Sequence, residues 1–314
     1  MTKVVLLFPG QGSQYVGMAS KFKGHKLLEQ ANSALDFNLE NLMLEGPAED
    51  LTLTMNTQPA IVTHSLILFE ELKPLLEKAG ASIECVLGHS VGEYAALSAA
   101  GALNFTDAVK AVNQRGKYMQ EAVPAGVGGM LAVLKVPEEV VVKGCEEVSK
   151  THGKIMPANF NDPTQIVISG ELKAIEEFPN WLKENYEKPS RAIPLKVSAP
   201  FHSSLMEPAA NAMKDFLESI SFEKLSLPYI ANVDAKLYGL DTEAPTIKSN
   251  LVTQMAGSVL WTQSIRTLDS DVKAIEVGPG KVLTGLMRKI NPEIKVHTLD
   301  KDDSFEKLEE FLLS

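Results

Sequence analysis

The chain has 314 residues, 45% of them apolar, enough to bury a sizeable core without disulfide or metal staples. Against 30 basic residues stand 40 acidic ones, a net charge of −10 that disfavours nucleic acid as the main partner and requires a local basic patch for any acidic one. The two cysteines, Cys85 and Cys145, read as small buried apolar residues of a reducing compartment. The apolar run 4–8 is too short for a signal-peptide core, and no segment approaches the ~18 apolar residues of a membrane span, so a cytoplasmic protein is expected.

In chain order, residues 3–8 form a β-rich run broken by Pro9-Gly10-Gln11-Gly12-Ser13-Gln14. A dinucleotide fingerprint would need a third glycine where Tyr15 stands, so this loop is read instead as one that aims backbone N–H groups at an anion. Apolar spacing is helical over 27–44 and again over 59–76, where His64 falls. The apolar run 83–87 then leads into Gly88-His89-Ser90-Val91-Gly92, followed by Glu93-Tyr94-Ala95-Ala96-Leu97-Ser98-Ala99-Ala100. Strand, sharp turn and helix in that order make a nucleophile elbow, in which glycines on either side of Ser90 let the chain turn and lift the hydroxyl to a helix N-terminus. Thr106-Asp107 is predicted to cap a helix running to residue 122, on which Ala108, Ala111, Val112 and Met119 recur at helical spacing. Arg115 lies on that same apolar stripe, and an arginine there must find an anion.

Pro124-Ala125-Gly126-Val127-Gly128-Gly129 reads as a flexible joint, and the pattern changes behind it. Residues 130–136 read as a strand, 137–150 as a helix, 155–158 and 165–169 as strands about a turn at Asn161-Asp162-Pro163, 171–186 as a helix and 191–197 as a strand. That order, β-α-β-β-α-β, is a ferredoxin-like module. The expected architecture is therefore α/β: an α/β-hydrolase-like catalytic domain with a parallel sheet core, built from 1–126 and 198–314, with an inserted ferredoxin-like subdomain at 127–197. A helix is expected over 206–220 and strands over 227–233, 272–277 and 293–296. Gly280-Lys281 is not a phosphate-binding P-loop, because Ile275 and Val282 occupy positions that would be glycine and Ser or Thr. Three basic clusters stand out, at Lys21, Lys23, His25 and Lys26, at Lys183, Lys188, Arg191 and Lys196, and at Arg288 with Lys289; each reads most simply as solvated surface.

A serine hydroxyl needs a base within hydrogen-bond reach. Of the six histidines, His89 adjoins Ser90 and points away from it, His25 and His297 lie in peripheral stretches, His152 belongs to the insertion, and His64 looks like a helix-packing residue. His202, just behind Pro200 where the chain re-enters the large domain, is favoured over His64 as the base. No acid presents itself as a third member; Asp162 would fit by order but reads as a turn residue. A backbone carbonyl can orient the histidine instead.

Phe8-Pro9-Gly10-Gln11-Gly12-Ser13-Gln14, Gly88-His89-Ser90-Val91-Gly92-Glu93, Arg115-Gly116-Lys117-Tyr118-Met119-Gln120, Asn159-Phe160-Asn161, Pro200-Phe201-His202-Ser203 and Glu276-Val277-Gly278-Pro279-Gly280 together resemble the malonyl-CoA:acyl carrier protein transacylases of type II fatty acid synthesis, nearly end to end. Val91 stands where leucine is more usual in that family. The resemblance implies Ser90 as nucleophile, His202 as base, and the backbone N–H groups of Gln11 and Val91 as the oxyanion hole. It implies Arg115 as the clamp on the malonyl carboxylate and the backbone carbonyl of Gln254 as the histidine's orienting acceptor. Met119, Phe201 and Asn161 would line the acyl pocket, with Phe201 resembling the malonyl-selecting form of its motif.

What the resemblance implies as a whole is a ping-pong transfer of malonyl from malonyl-CoA, a substrate, to the pantetheine thiol of an acidic acyl carrier protein. Neither a resident cofactor nor a metal is expected, and the protein is expected to be a monomer with no nucleic-acid or membrane partner. Rival readings are a freestanding polyketide-type acyltransferase, a serine thioesterase or esterase with the same elbow, and an inert docking subunit that binds the carrier.

Overall fold

The structure, a computed structural model, describes residues 2–124, 126–300 and 303–314. Ala125, in the expected joint, lies outside the described residues. Ten strands are found among them: β1 (Lys3–Phe8), β2 (Ser82–Gly88), β3 (Gly128–Leu134), β4 (Ile155–Asp162), β5 (Gln165–Glu171), β6 (Arg191–Pro194), β7 (Tyr229–Ile230), β8 (Leu237–Tyr238), β9 (Lys273–Glu276) and β10 (Val296–Thr298).

They form two sheets. The six-stranded sheet runs β10-β9-β1-β2-β7-β8 and is parallel except for β8, which returns antiparallel on β7. Its central strand β1 is buried on both faces, as a parallel strand between helical layers must be. Val4, Leu6 and Phe8 point into one core, while Val5 and Leu7 point into the other with Cys85 and Leu87. The four-stranded sheet, β4-β5-β3-β6, is antiparallel and has the ferredoxin-like order. Helices Glu138–Ser149 and Leu172–Asn185 cover one face of it around Phe178 and Cys145. Met130 and Val167, on the other face, join the core of the large sheet.

The strand β4 ties the small sheet to the large one. Val259 pairs with it through Phe160 N–H to Val259 O (2.9 Å) and Val259 N–H to Ala158 O (2.8 Å). The turn after β4 is held by Asp162, whose fully buried carboxylate accepts from the Thr164 N–H (2.9 Å) and from Lys289 Nζ (2.9 Å). Asp162 is thus a turn residue and a crosslink, in contact with neither Ser90 nor His202.

Several boundaries differ from the sequence-based expectations. The helical pattern of 27–44 divides into helices Lys26–Ala34 and Leu39–Glu45, the second capped by Asn38. The helix predicted from Thr106-Asp107 starts a residue earlier and is capped by Asn104, whose Oδ1 accepts from the Asp107 N–H (2.9 Å). The expected strand 227–233 pairs only over Tyr229–Ile230, because Pro228 has no N–H and Asn232 turns away to other partners. The last strand lies at Val296–Thr298, later than the apolar pattern placed it, and the 206–220 helix opens with a 3-10 turn, Ser204–Met206, before Glu207–Glu218.

The long helix Thr54–Lys78 contains Pro59, which has no N–H to give to the Met55 carbonyl one turn earlier. Asn113 Nδ2 donates to that carbonyl instead (2.8 Å), so the proline's missing bond becomes a link to helix Phe105–Glu121. Beside it, a Cβ on Gly116 would stand 2.5 Å from Met55 Cα; only glycine lets the two helices approach this closely and bring Arg115 to Gln58. Behind β9, the motif that begins at Glu276 is structural: its carboxylate accepts from the N–H groups of Leu283 (2.9 Å) and Thr284 (2.8 Å) at the start of helix Val282–Ile290.

Candidate active site

Ser90 stands between β2 and helix Gly92–Ala99, at the C-terminal edge of a parallel sheet, where α/β sheets place their sites. Its φ is +50°, the left-handed region that a residue with a Cβ enters at a cost of roughly 1–3 kcal/mol. The flanking glycines answer a different need from the expected one. A Cβ on Gly88 would sit 2.0 Å from Gly92 C, and one on Gly92 would sit 2.1 Å from Phe8 O, so both are required by close approach while the serine itself makes the strained turn.

Two amide side chains hold the strained Ser90 peptide. Asn232, just past β7, accepts from the Ser90 N–H through Oδ1 (2.8 Å) and donates through Nδ2 to Gly88 O (2.6 Å). Gln254, on helix Ala244–Ala256, donates through Nε2 to Ser90 O (3.0 Å) and to Glu93 Oε2 (2.7 Å). Nothing in the sequence singled out Asn232; its only signal is its position just beyond a strand of the parallel sheet.

The Ser90 hydroxyl lies 2.8 Å from His202 Nε2 and accepts from Arg115 Nη2 at 3.2 Å. His202, also left-handed at φ +57°, directs Nδ1 to the Gln254 carbonyl oxygen at 2.8 Å, the acceptor that stands where a carboxylate could have been. Burial pushes the His202 imidazole down to about 3; the nearby Arg115 charge pushes the same way, and the Gln254 carbonyl resists. His202 is therefore neutral in the resting site. Its Nδ1 proton is held by the carbonyl and its Nε2 is free to take one from Ser90.

Arg115 is 1% exposed and rests on neutral oxygens, Gln58 Oε1 (2.8 Å) and Gln254 Oε1 (2.9 Å), with its Nε unpaired and its guanidinium 5.8 Å from the Tyr94 ring centroid. No carboxylate of the described residues forms an ion pair with it. Gln58 is a second residue that the sequence did not mark. It sits one helical turn past Thr54, whose hydroxyl meets both Gln11 Nε2 (3.4 Å) and Ser198 Oγ (3.1 Å) at the edge of the site.

The loop after β1 packs directly against the elbow: a Cβ on Gly10 would stand 2.5 Å from His89 O. The backbone N–H groups of Gln11, the next residue, and of Val91, at the start of helix Gly92–Ala99, have no acceptor among the described residues. Met119 lies one turn beyond Arg115, fully buried, with its sulfur 3.7 Å from Gln58 Nε2. Phe201, also buried, precedes His202. Asn161 Oδ1 meets His89 Nε2 at 2.8 Å, and the His89 ring packs against Trp261 with no hydrogen bond to Ser90 among the described residues. His64, a residue of helix Thr54–Lys78, pairs with Asp300 (3.2 Å) and makes no hydrogen bond to Ser90 among the described residues. No cluster of metal-ligating side chains occurs among the described residues.

A serine on an elbow, a neutral histidine oriented by a carbonyl and a buried guanidinium lacking a counter-anion define an α/β-hydrolase-like serine acyl-transfer site. A family model described as acyl transferase domain matches residues 5–289. The malonyl CoA-acyl carrier protein transacylase of Bacillus subtilis is 42% identical over 313 residues, covering 98% of this chain and 96% of that protein. Among solved structures, an acyl carrier protein S-malonyltransferase from Vibrio cholerae superposes with a TM-score of 0.89 at 36% identity, covering 98% of this chain and 100% of the other. A malonyl-transacylase in complex with its type II PKS acyl-carrier protein gives 0.91 at 35% identity, with 99% and 100% covered. The chain belongs to the malonyl CoA-acyl carrier protein transacylase family.

Proposed function

We propose that the protein moves a malonyl group from malonyl-CoA to the pantetheine thiol of an acyl carrier protein by a ping-pong reaction on Ser90, in the cytoplasm. The observation that carries this reading is Arg115: a fully buried cation, 3.2 Å from the Ser90 hydroxyl, whose hydrogen-bond partners are all neutral oxygens. A planar guanidinium in that setting is a receptor for a carboxylate at the far end of the acyl group, which it can bind through two parallel hydrogen bonds.

His202 takes the Ser90 proton as Oγ attacks the thioester carbonyl. The backbone N–H groups of Gln11 and Val91 receive the oxyanion, and as it collapses the bond to sulfur breaks and CoA leaves as the thiol with the proton that His202 had taken. The carrier's thiol then gives its proton to His202 and attacks the ester; the bond to Ser90 Oγ breaks and His202 returns the proton to it, restoring the free serine. Met119 and Phe201 bound the acyl pocket, with malonyl-CoA acting as substrate and not as a resident cofactor. The catalytic domain is assigned to 1–126 and 198–314, the inserted subdomain to 127–197.

Incubation with labelled malonyl-CoA should leave label on Ser90, removable by carrier protein thiol. Equal labelling of Ser90→Ala would refute the nucleophile, and steady release of free malonate without an acceptor would favour a hydrolase.

A further inference from the structure

Glu93 is the buried ionisable group that this mechanism leaves unused. It directly follows the elbow, three residues after Ser90, and is completely buried in the first turn of helix Gly92–Ala99. Its Oε2 accepts from Gln254 Nε2 at 2.7 Å and from the Asn232 N–H at 3.2 Å; its Oε1 has no partner among the described residues. These two residues are the ones whose side chains hold the Ser90 peptide on either side, Asn232 at its N–H and Gln254 at its carbonyl.

Gln254 also meets both functional partners of Ser90, its backbone oxygen receiving His202 Nδ1 and its side-chain oxygen receiving Arg115 Nη2. An amide has two ends of opposite polarity, and only one way round satisfies this arrangement. With the carboxylate of Glu93 accepting from Nε2, Oε1 is turned to Arg115; with the amide reversed, an NH2 would face a guanidinium and an oxygen would face a carboxylate.

We infer that Glu93 is a positioning residue: its Oε2 fixes the orientation of Gln254 and the backbone of Asn232, and through them the Ser90 peptide and the Arg115 clamp. The inference rests on the reading of Ser90, His202 and Arg115 given above. It requires an acceptor at the Oε2 position and nothing at Oε1. A glutamine can supply that acceptor while placing its NH2 where Oε1 has no partner.

The test compares Glu93→Ala and Glu93→Gln in acylation of Ser90 by malonyl-CoA and in transfer to carrier protein. Displacement of reacting groups by about an ångström costs on the order of 100-fold in rate, so Glu93→Ala should lose about that factor, with Glu93→Gln regaining at least 10-fold of it. In a cycle with Gln254→Ala, adding Glu93→Ala should cost less than about 3-fold further, because the two act as one unit. Activity of Glu93→Ala within about 3-fold of the parent, equal loss in Glu93→Gln, or full additivity with Gln254→Ala would each overturn the inference. Should Glu93→Ala not fold, Glu93→Met fills the volume without an acceptor and takes its place; loss of the fold in both would assign Glu93 to stability alone and overturn it as well. Absence of label on Ser90 in the unsubstituted protein would instead defeat the underlying mechanism.

Discussion

Replacing Arg115 by alanine separates a carboxylate clamp from a structural arginine. In the resting site the guanidinium holds Gln58 Oε1 and Gln254 Oε1, both neutral. Malonyl binding brings a carboxylate to a guanidinium whose hydrogen bonds are already charge-assisted, so the gain is the buried ion pair itself. Removing one partner of such a pair costs about 3–5 kcal/mol, and the lower end, about 3 kcal/mol, suits a ligand that can return to water. That converts to roughly 150-fold in kcat/KM. Arg115→Ala should therefore lower kcat/KM for malonyl-CoA by about two orders of magnitude, while acetyl-CoA, which has no distal carboxylate, is unaffected or improved. Burst measurements of acyl-enzyme with the two thioesters give both numbers from one preparation. The fold should survive, since the unpaired Arg115 Nε and the desolvated charge are removed together with two hydrogen bonds. Malonyl and acetyl reactions falling by the same factor would refute the clamp.

Acid should destabilise the fold through His202. Its folded pKa is about 3 against 6.5 in the unfolded chain, so between those values the unfolded state holds the extra proton and stability falls as pH falls, on the order of 5 kcal/mol over the window. Glu93 opposes this: held up to about 7 against an ordinary 4.5, it binds its proton first in the folded state and stabilises as pH falls from 7 to 4.5. Urea melts at pH 4 and 7 should show His202→Ala losing less on acidification than the parent; parallel losses would refute the assignment. Asn232→Ala removes the acceptor for the Ser90 N–H and the donor to Gly88 O, and should cost about 1–3 kcal/mol of stability together with acylation rate; unchanged acylation would mean that the elbow holds its shape without it. Reversing the exposed charges of Lys188 and Arg191, on the chain that leads to His202, should raise KM for carrier protein, most at low salt, and leave free pantetheine untouched. Equal effects on both acceptors would remove that patch from docking.

The parts of the site that were legible in the sequence are those that carry their own backbone signature. Ser90 sits between glycines on a strand-to-helix turn, and His202 follows Pro200 at the return from the insertion. Arg115 betrays itself by lying on an apolar stripe of a helix. Gln58, Asn232 and the side-chain role of Gln254 carry no such mark. They are neutral amides on unrelated elements, brought together by the crossing of helices Thr54–Lys78 and Phe105–Glu121 and by the position of β7 beside β2. Strand lengths failed for a related reason. An apolar run over 227–233 states burial and not pairing, and the residue that breaks the ladder, Asn232, is the one the site needs.

The orienting carbonyl at Gln254 bears on why such a site would hand its acyl group to a thiol and not to water. A carboxylate partner would strengthen His202 as a base; a carbonyl supplies the same tautomer with less charge, and Arg115 weakens the base further. Ser90 is helped past a weak base by the start of helix Gly92–Ala99, whose positive end favours the negative charge developing beside it. Once a malonyl carboxylate occupies Arg115, that guanidinium no longer opposes the imidazolium, so the base is strongest when the correct acyl group is seated. In the second half-reaction the acceptor must supply its own acidity. A thiol, with a pKa of about 8.5, gives up its proton far more readily than water at about 15.7. A base of modest strength thus suffices for the carrier's thiol and leaves water a poor competitor.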